Sequence, residues 1–267
     1  MHIIETDNLN LRTDLVIEYE GDYENNEVLE DDLVITTTKV DNFKYTTIAF
    51  SDITDKDNFL NVQNVFIKEL KKYLDIQKND KFLIIGLGNK NSTPDSLGPA
   101  TLDNILVTGH LYLLGDIDSN YSHVCKFMPS VTGETGIETI KVLKSVIKES
   151  GANKVIVIDS LKASKVERLN KIIQITNSGI HPGSGINNNR GEVSEKTMNA
   201  SIVAIGVPTV VDVKTIVEDI LKEEVTLKEN LIVTPTNIDF IIQKLGLLIG
   251  NGINISLHKD FKRQNNY

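Results

Sequence analysis

Two aspartates follow apolar runs that have the pattern of buried strands, so their carboxylates could form a catalytic or binding site at the edge of a sheet. Asp159 directly follows the apolar run 155–158, and Asp95 lies in the segment that follows the apolar run 82–85. Since ligands of open parallel α/β sheets bind beyond the carboxyl ends of the strands, both carboxylates are expected at one edge. Paired carboxylates there could hold a water molecule and divide acid and base roles, or they could ligate a divalent metal. Either residue alone could instead serve only as a helix or loop cap.

The loops around these aspartates contain glycine, which permits tight turns and close backbone approach. Gly86-Leu87-Gly88-Asn89 precedes Asp95, but Asn91 occupies the third glycine position of a dinucleotide fingerprint, and no Gly-Lys-Ser/Thr follows. We therefore expect no cofactor. The later loop 177–191 is rich in glycine and asparagine, and its backbone could bind an extended peptide or stabilise an oxyanion. The candidate substrate-binding residues are Asn89, Gly183, Ser184 and Gly185.

Histidines offer a second interpretation of the same edge. None of the five histidines belongs to a His-Glu-x-x-His motif, but His110 and His181 fall near the proposed site. If His110 joined Asp95 and Asp159, the mixed oxygen and nitrogen ligands could hold a divalent metal. A single histidine is more often structural or solvent-exposed. The main prediction therefore assigns no metal and gives His110 and His181 auxiliary roles only.

The elements that must position these residues follow from the apolar periodicity. From residue 81 onward, short apolar runs alternate with helical patterns. This alternation predicts an α/β fold, with a mostly parallel sheet and helices on both faces. The predicted strands are 82–85, 155–158, 172–175 and 202–208, and the predicted helices are 97–111, 135–149, 213–224 and 237–249.

The beginning of the chain has a different pattern. Segments 33–38 and 45–50 have the composition of strands, and a helix is predicted over 61–74. No linker rich in glycine, proline or serine separates this part from the rest. We therefore predict one domain over residues 1–267, in which 15–60 form an N-terminal β subregion.

Composition excludes several classes of function. The net charge of −9 argues against a protein that binds nucleic acid directly, because phosphate affinity depends on clustered Lys and Arg. No continuous apolar run reaches the length of a membrane span, so no membrane association is expected. The single cysteine, Cys125, has no partner for an internal disulfide, which is typical of a reducing cytoplasm. Cys125 lies in an apolar run and is expected to be a small buried side chain.

Around Asp95, Asp159 and the glycine-rich loops, the sequence resembles the germination proteases of spore-forming bacteria. The shared motifs keep a common order from near residue 12 to near residue 258. They are Arg12-Thr13-Asp14-Leu15, Ile85-Gly86-Leu87-Gly88-Asn89, Thr93-Pro94-Asp95-x-Leu97-Gly98-Pro99, Thr132-Gly133-x-Thr135-Gly136-Ile137-Glu138-Thr139, Gly179-Ile180-x-Pro182-Gly183-Ser184-Gly185, Ala204-Ile205-Gly206-Val207-Pro208-Thr209-Val210-Val211-Asp212 and Val233-Thr234-Pro235 with Ile238-Asp239.

The resemblance implies a phosphorylase/hydrolase-like α/β fold and an endopeptidase that degrades small acid-soluble spore proteins. By motif, the family's proposed catalytic aspartates fall on Asp95 and Asp159. The resemblance also implies a zymogen that loses a short N-terminal segment, assembly as a homotetramer, and a place in the cytoplasm of the forespore or spore core. The family cleaves after an acidic residue and before a hydrophobic one. Asp14-Leu15 fits that preference as an autoprocessing bond, which would make 1–14 a propeptide.

Two alternatives stay open. Gly86-Leu87-Gly88-Asn89, followed by Asp95 and Gly98, is also similar to the hydrogenase maturation endopeptidases, which would favour metal-dependent cleavage. Departures from the germination protease pattern at Asn177, Asn187 and Met198-Asn199 are compatible with a homologue that binds spore proteins without cutting them.

Overall fold

The computed structural model describes residues 14–18, 23–115, 117–180 and 192–262. Its strands form a single nine-stranded sheet with the order β1-β2-β3-β7-β8-β6-β4-β5, and β9 pairs with β8 outside this path. The strands are β1 (Glu24–Glu30), β2 (Leu33–Val40), β3 (Phe43–Ala49), β4 (Lys81–Gly86), β5 (His123–Phe127), β6 (Lys154–Ala163), β7 (Ile172–Thr176), β8 (Ser201–Asp212) and β9 (Ile232–Val233).

Helices cover both faces of this sheet, as the sequence pattern predicts. They are α1 (Lys56–Lys71), α2 (Leu97–Leu102), α3 (Gly109–Leu114), α4 (Thr132–Thr135), α5 (Thr139–Ser150), α6 (Glu195–Met198), α7 (Val213–Leu221) and α8 (Ile238–Leu257). The larger core cluster packs α1, α2 and α8 against one face. A second cluster packs α5 and α6 against the other face. The α/β class is therefore confirmed.

The sheet is mixed rather than mostly parallel. Strands β5, β4, β6 and β8 run parallel to one another, whereas β7 runs antiparallel to β8 and to β3. The reason lies in the connection from β6 to β7, residues 164–171, which contains only a short 3-10 turn. A parallel return needs a crossover of about a dozen residues or more. The apolar pattern of 172–175 predicts a buried strand correctly but carries no information about its direction.

The N-terminal β subregion is present and is hydrogen-bonded to the main sheet. Strands β2 and β3 form an antiparallel hairpin, and β3 continues the sheet by pairing with β7. The edge strand β1 was not predicted, because its sequence Glu24–Glu30 is acidic and exposed except at its last residue. Such charged edge strands resist pairing with other chains.

Helix α8 is the longest helix and crosses the core. Among the described residues it is the one helix long and apolar enough to span a bilayer by length and composition, but 67% of its most apolar window is buried inside the protein. Leu245, Leu248 and Ile249 belong to the larger core cluster. Its apolar character is therefore explained by its position among α1, α2 and the sheet.

Two predicted helices are divided, one by a contact with β5 and the other by a glycine in the left-handed conformation. The helix predicted over 97–111 ends at Leu102 and resumes at Gly109, because Thr108 lies against β5 and its amide donates to the carbonyl of Val124. The helix predicted over 135–149 is interrupted by Gly136, which has a φ of 69° and ends α4. Gly151 ends α5 in the left-handed conformation, as predicted.

Candidate functional site

Asp159 is positioned by an interior strand of the sheet. It belongs to β6, which lies between β4 and β8, and its register partner in β8 is Gly206. The residue is 6% exposed. Its Oδ1 atom accepts a hydrogen bond of 2.9 Å from the amide of Ser160. Pairing with β8 at Asp159 itself, and with β4 up to Ile158, therefore fixes the backbone that carries this carboxylate.

Asp95 is positioned by a loop. It ends the 3-10 turn Thr93–Asp95, and its backbone carbonyl accepts a hydrogen bond of 2.9 Å from the amide of Asn89. Gly88 makes this closure possible because its φ is +104°, and an added Cβ would lie 2.0 Å from the carbonyl oxygen of Asp95. The same Cβ would lie 3.0 Å from Oδ1 of Asp95. The glycine turn after β4 is thus folded directly onto the aspartate.

The two aspartates belong to the same edge of the sheet. The amide of Leu87, which follows β4, donates to the carbonyl of Ile158 over 2.8 Å, one residue before Asp159. The Thr93–Asp95 turn contacts both β6 and β8. The arrangement expected from the carboxyl-end rule for parallel strands is therefore present in the backbone. The catalytic roles of Asp95 and Asp159 stay a prediction.

A buried threonine supports the inner side of the Asp95 turn. Thr209 is fully buried, and its Oγ1 atom donates a hydrogen bond of 2.6 Å to the carbonyl of Pro94. The carbonyl of Thr209 in turn accepts a hydrogen bond of 2.9 Å from Thr234 Oγ1. Sequence reasoning placed Thr209 inside a shared motif but gave its side chain no role.

A carboxylate supports the outer side of the same loop. Glu134 of α4 is exposed and accepts hydrogen bonds from Ser130 Oγ and from Asn91 Nδ2, the latter over 3.1 Å. These bonds, led by that of Ser130 and with a further contribution from Asn89, hold the pKa of Glu134 below its usual 4.5. Asn89 Oδ1 accepts from the amide of Asn91 over 2.8 Å. Glu134 occupies the variable position of the Thr132-Gly133-x-Thr135 motif, so the motif gave no signal for it.

His110 does not lie at this edge, and its predicted auxiliary role there is wrong. A Cβ added to the preceding Gly109 would meet Cys125 Sγ at 2.7 Å and the carbonyl of Val124 at 3.3 Å. Val124 pairs with Phe82 near the start of β4. That level lies four residues, or ~13 Å, before Gly86, where the edge with the aspartates begins. Closeness in sequence to the proposed site was misleading because the chain returns along the sheet between α2 and β5.

The remaining predicted groups divide into two sets. Asn89 lies beside Asp95, as described above, whereas His181, Gly183, Ser184 and Gly185 lie outside the described residues. Within ranges 14–18, 23–115, 117–180 and 192–262, no group of three or more His, Cys, Asp and Glu side chains is placed to hold a metal ion. A metal site built from Asp95, Asp159 and His110 does not form, since His110 is at the opposite end of the strands.

The proposed autoprocessing bond Asp14-Leu15 is held against the extension of β6 beyond Asp159. The amide of Asp14 donates to the carbonyl of Lys162 over 3.0 Å, and Asp14 Oδ2 accepts from the amide of Lys162 over 2.9 Å. Gln174 Nε2 donates to the carbonyl of Asp14 over 3.2 Å. Leu15 is 1% exposed and packs in a small cluster with Leu161, Ala163 and Ile172. Cleavage at this bond stays a prediction.

Fold and site together define an α/β protein with two aspartates at the carboxyl edge of its parallel strands, a class suited to acid–base chemistry on a bound water. The model of the germination protease family matches residues 26–225. The germination protease of Bacillus licheniformis is 34% identical, over 83% of this chain and 80% of its own length. That of Caldanaerobacter subterraneus is 33% identical, over 93% and 94%. The chain belongs to the germination protease family.

Two further comparisons are more limited in extent. The germination protease of Bacillus subtilis is 45% identical over 66% of this chain, but this match spans only 50% of the relative's length. Among solved structures, a nickel–iron hydrogenase maturation protease from Thermococcus kodakarensis KOD1 is 14% identical. It covers 69% of this chain and 98% of its own, with a TM-score of 0.37. That TM-score is too low to support an argument about fold or function.

Proposed function

We propose that this chain is an endopeptidase that cleaves small acid-soluble spore proteins during germination, with Asp95 and Asp159 as its catalytic pair. Membership of the germination protease family supports the reaction and the substrate class. The observation that carries the assignment of residues is the contact of the Thr93–Asp95 turn with β6, the strand that carries Asp159. Two acidic groups far apart in sequence are thereby held at one edge.

In the proposed mechanism the two carboxyl groups share the work of peptide hydrolysis. One of them, ionised, accepts a proton from a water molecule as the water oxygen attacks the scissile carbonyl carbon. The other, protonated, donates a hydrogen bond to the carbonyl oxygen and stabilises the charge that develops there. When the C–N bond breaks, this second carboxyl group gives its proton to the leaving amine, and the first keeps the proton taken from the water. Which aspartate takes which role is left open by the geometry.

The same proposal includes the surroundings of the reaction. Asn89 and the backbone of Gly183, Ser184 and Gly185 would position an extended substrate beside the aspartates. The protein would act in the cytoplasm of the forespore or spore core, as a homotetramer, after loss of a short N-terminal segment. Each of these points follows from the resemblance and is testable apart from the catalytic residues.

The test replaces each carboxyl group by its amide. Asp95→Asn and Asp159→Asn are each expected to lower kcat by about 10²–10⁴-fold, because an amide can neither accept nor supply the proton. The substrate is a purified acid-soluble spore protein, and cleavage is followed by electrophoresis and mass spectrometry. Asp103→Asn is the matched control. Asp103 is exposed, and its ion pair with Lys90 is long, at 4.0 Å.

The outcomes separate this proposal from its alternatives. Near-wild-type cleavage by either Asp95→Asn or Asp159→Asn contradicts the catalytic pair. Substrate binding by the wild-type chain with no cleavage at all identifies a non-catalytic homologue. Loss of cleavage after chelation, with recovery on adding one divalent metal, identifies a metal-dependent peptidase.

A further inference from the structure

Thr209 makes an unusual contact with the loop that carries Asp95. Its Oγ1 atom donates a hydrogen bond of 2.6 Å to the carbonyl of Pro94, which is 115 residues away in the sequence. Proline has no N–H, so this carbonyl is the only backbone hydrogen-bonding group that Pro94 possesses. The next residue in the chain is Asp95. The hydroxyl of Thr209 therefore acts one peptide unit away from the proposed catalytic carboxylate.

The position of Thr209 in β8 explains how its side chain reaches this loop. Leu161 pairs with Pro208 and the next residue, Lys162, pairs with Val210. Thr209 is therefore an extra residue in β8 with no partner in β6. An extra residue of this kind is a β-bulge, which redirects a side chain and often occurs beside an active site. The carbonyl of Thr209 is satisfied instead by Thr234 Oγ1. Thr209 thus has no register partner in β6, and its hydroxyl bonds to the carbonyl of Pro94.

The same strand also holds the second aspartate. Gly206 of β8, three residues before Thr209, is the register partner of Asp159. A rigid strand therefore contacts both carriers of the proposed pair: β6 through the sheet hydrogen bonds and the Asp95 turn through Thr209. Changing the Thr209 contact would move Asp95 relative to Asp159 without altering either carboxylate.

We propose that Thr209 is a positioning residue that sets the placement of the Asp95 carboxyl group against Asp159. This inference rests on the proposed function, because it concerns the same catalytic pair. A displacement of about 1 Å in a catalytic group can cost about 10²-fold in rate. Thr209 is accordingly expected to affect the chemical step more than substrate binding.

The experiment compares three substitutions in the full chain. Thr209→Val keeps the shape of the side chain and removes the hydroxyl, and it is expected to lower kcat about 10–100-fold while KM changes less than about threefold. Thr209→Ser restores the hydroxyl and is expected to recover kcat to within about fivefold of wild type. Thr108→Val is the matched control. Thr108 is 1% exposed and donates over 2.6 Å to the carbonyl of Ser122, at the opposite end of the strands.

A second readout does not depend on catalysis. The titration of the Asp95 carboxyl carbon is followed by NMR in protein labelled at aspartate and assigned with Asp95→Asn. Thr209→Val is expected to shift this titration, whereas Thr108→Val is expected to leave it unchanged. A folded Thr209→Val protein with wild-type kcat and an unshifted titration overturns the inference. Failure of Thr209→Ser to recover kcat also overturns it.

The two proposals fail in different ways. If Asp95→Asn cleaves normally, the catalytic pair is wrong, and the titration alone then decides whether Thr209 positions Asp95. If Asp95→Asn is inactive while Thr209→Val has wild-type kcat and titration, only the role of Thr209 is wrong.

Discussion

The two aspartates reach the same edge of the sheet by different structural means. Asp159 belongs to an interior strand, which pairs with β4 as far as Ile158 and with β8 at Asp159 and beyond. Asp95 lies at the end of a loop that leaves β4 at Gly86 and depends on separate contacts from Gly88, Asn89 and Thr209. The first position is supported by strand pairing, and the second by the packing of a short turn together with individual hydrogen bonds.

This difference predicts where the site is vulnerable. A paired strand distributes a local change over many hydrogen bonds, whereas a turn outside the strand pairing is displaced more easily when one of its hydrogen bonds is lost. Substitutions that never touch a carboxylate should therefore damage the Asp95 side more than the Asp159 side. The following substitutions test that comparison, from the largest expected effect to the smallest.

Gly88→Ala should have the largest effect. The glycine φ of +104° is unfavourable for alanine, and the new Cβ would lie 2.0 Å from the carbonyl oxygen of Asp95, which is backbone and cannot simply rotate away. The Asp95 turn must shift, and kcat/KM is expected to fall at least about 100-fold. Gly133→Ala is the control, because nothing lies within 4 Å of its added Cβ. Equal activity of the Gly88 and Gly133 variants would contradict the expected sensitivity of the Asp95 loop.

Gly206→Ala tests the strand side. Its Cβ would meet the Leu161 side chain at 2.4 Å, so the strain falls on a side chain and not on backbone. Overpacking of this kind costs about 1–3 kcal/mol of stability, measurable by chemical denaturation. Because β6 keeps its neighbours, kcat/KM at a temperature where the variant is folded is expected to fall less than about tenfold. A loss of kcat/KM larger than that of Gly88→Ala would show that the strand with Asp159 is more sensitive than the Asp95 loop.

Glu134→Ala should have the smallest effect of the three. It removes the acceptor of Ser130 and Asn91 on the exposed side of the Asp95 loop, where solvent can replace the lost bonds. We expect kcat/KM to fall less than about fivefold, since exposed charge-assisted contacts contribute little. Because the pKa of Glu134 is lowered, the contact is complete above pH 4.5 and is lost as the pH falls through the lowered pKa. The kcat/KM values of wild type and variant should therefore converge in acid. A ratio of the two values that stays constant across pH would contradict a supporting role for the ionised Glu134.

The parallel core of the fold could be predicted from the sequence because strands buried on both faces appear as continuous apolar runs. Residues 82–85 and 155–158 follow this rule and lie in β4 and β6. The direction of β7 could not be predicted, since the same apolar pattern fits either direction. Strand β1 was missed because its exposed acidic sequence has no apolar alternation.

The site was partly predictable for a related reason. A rule about strand ends places Asp95 and Asp159 at one edge without any knowledge of distant contacts. Thr209 was not predictable as a support, because its hydrogen bond joins residues 115 positions apart and depends on a bulge that no local pattern shows. His110 was misplaced because sequence proximity to Asp95 does not report the path of the chain between α2 and β5.

The burial of Leu15 has a consequence for any protease that attacks the Asp14-Leu15 bond. A protease needs an extended, accessible peptide, but the Asp14 carbonyl is bonded to Gln174 and Leu15 is 1% exposed. Burying a leucine contributes about 1.5–3 kcal/mol, so this side chain alone would leave on the order of one molecule in ten to one in a hundred detached. Scission at this bond would then follow the fraction of molecules in which residues 14–18 are detached, and its rate would become independent of protease concentration only where cleavage is faster than re-docking.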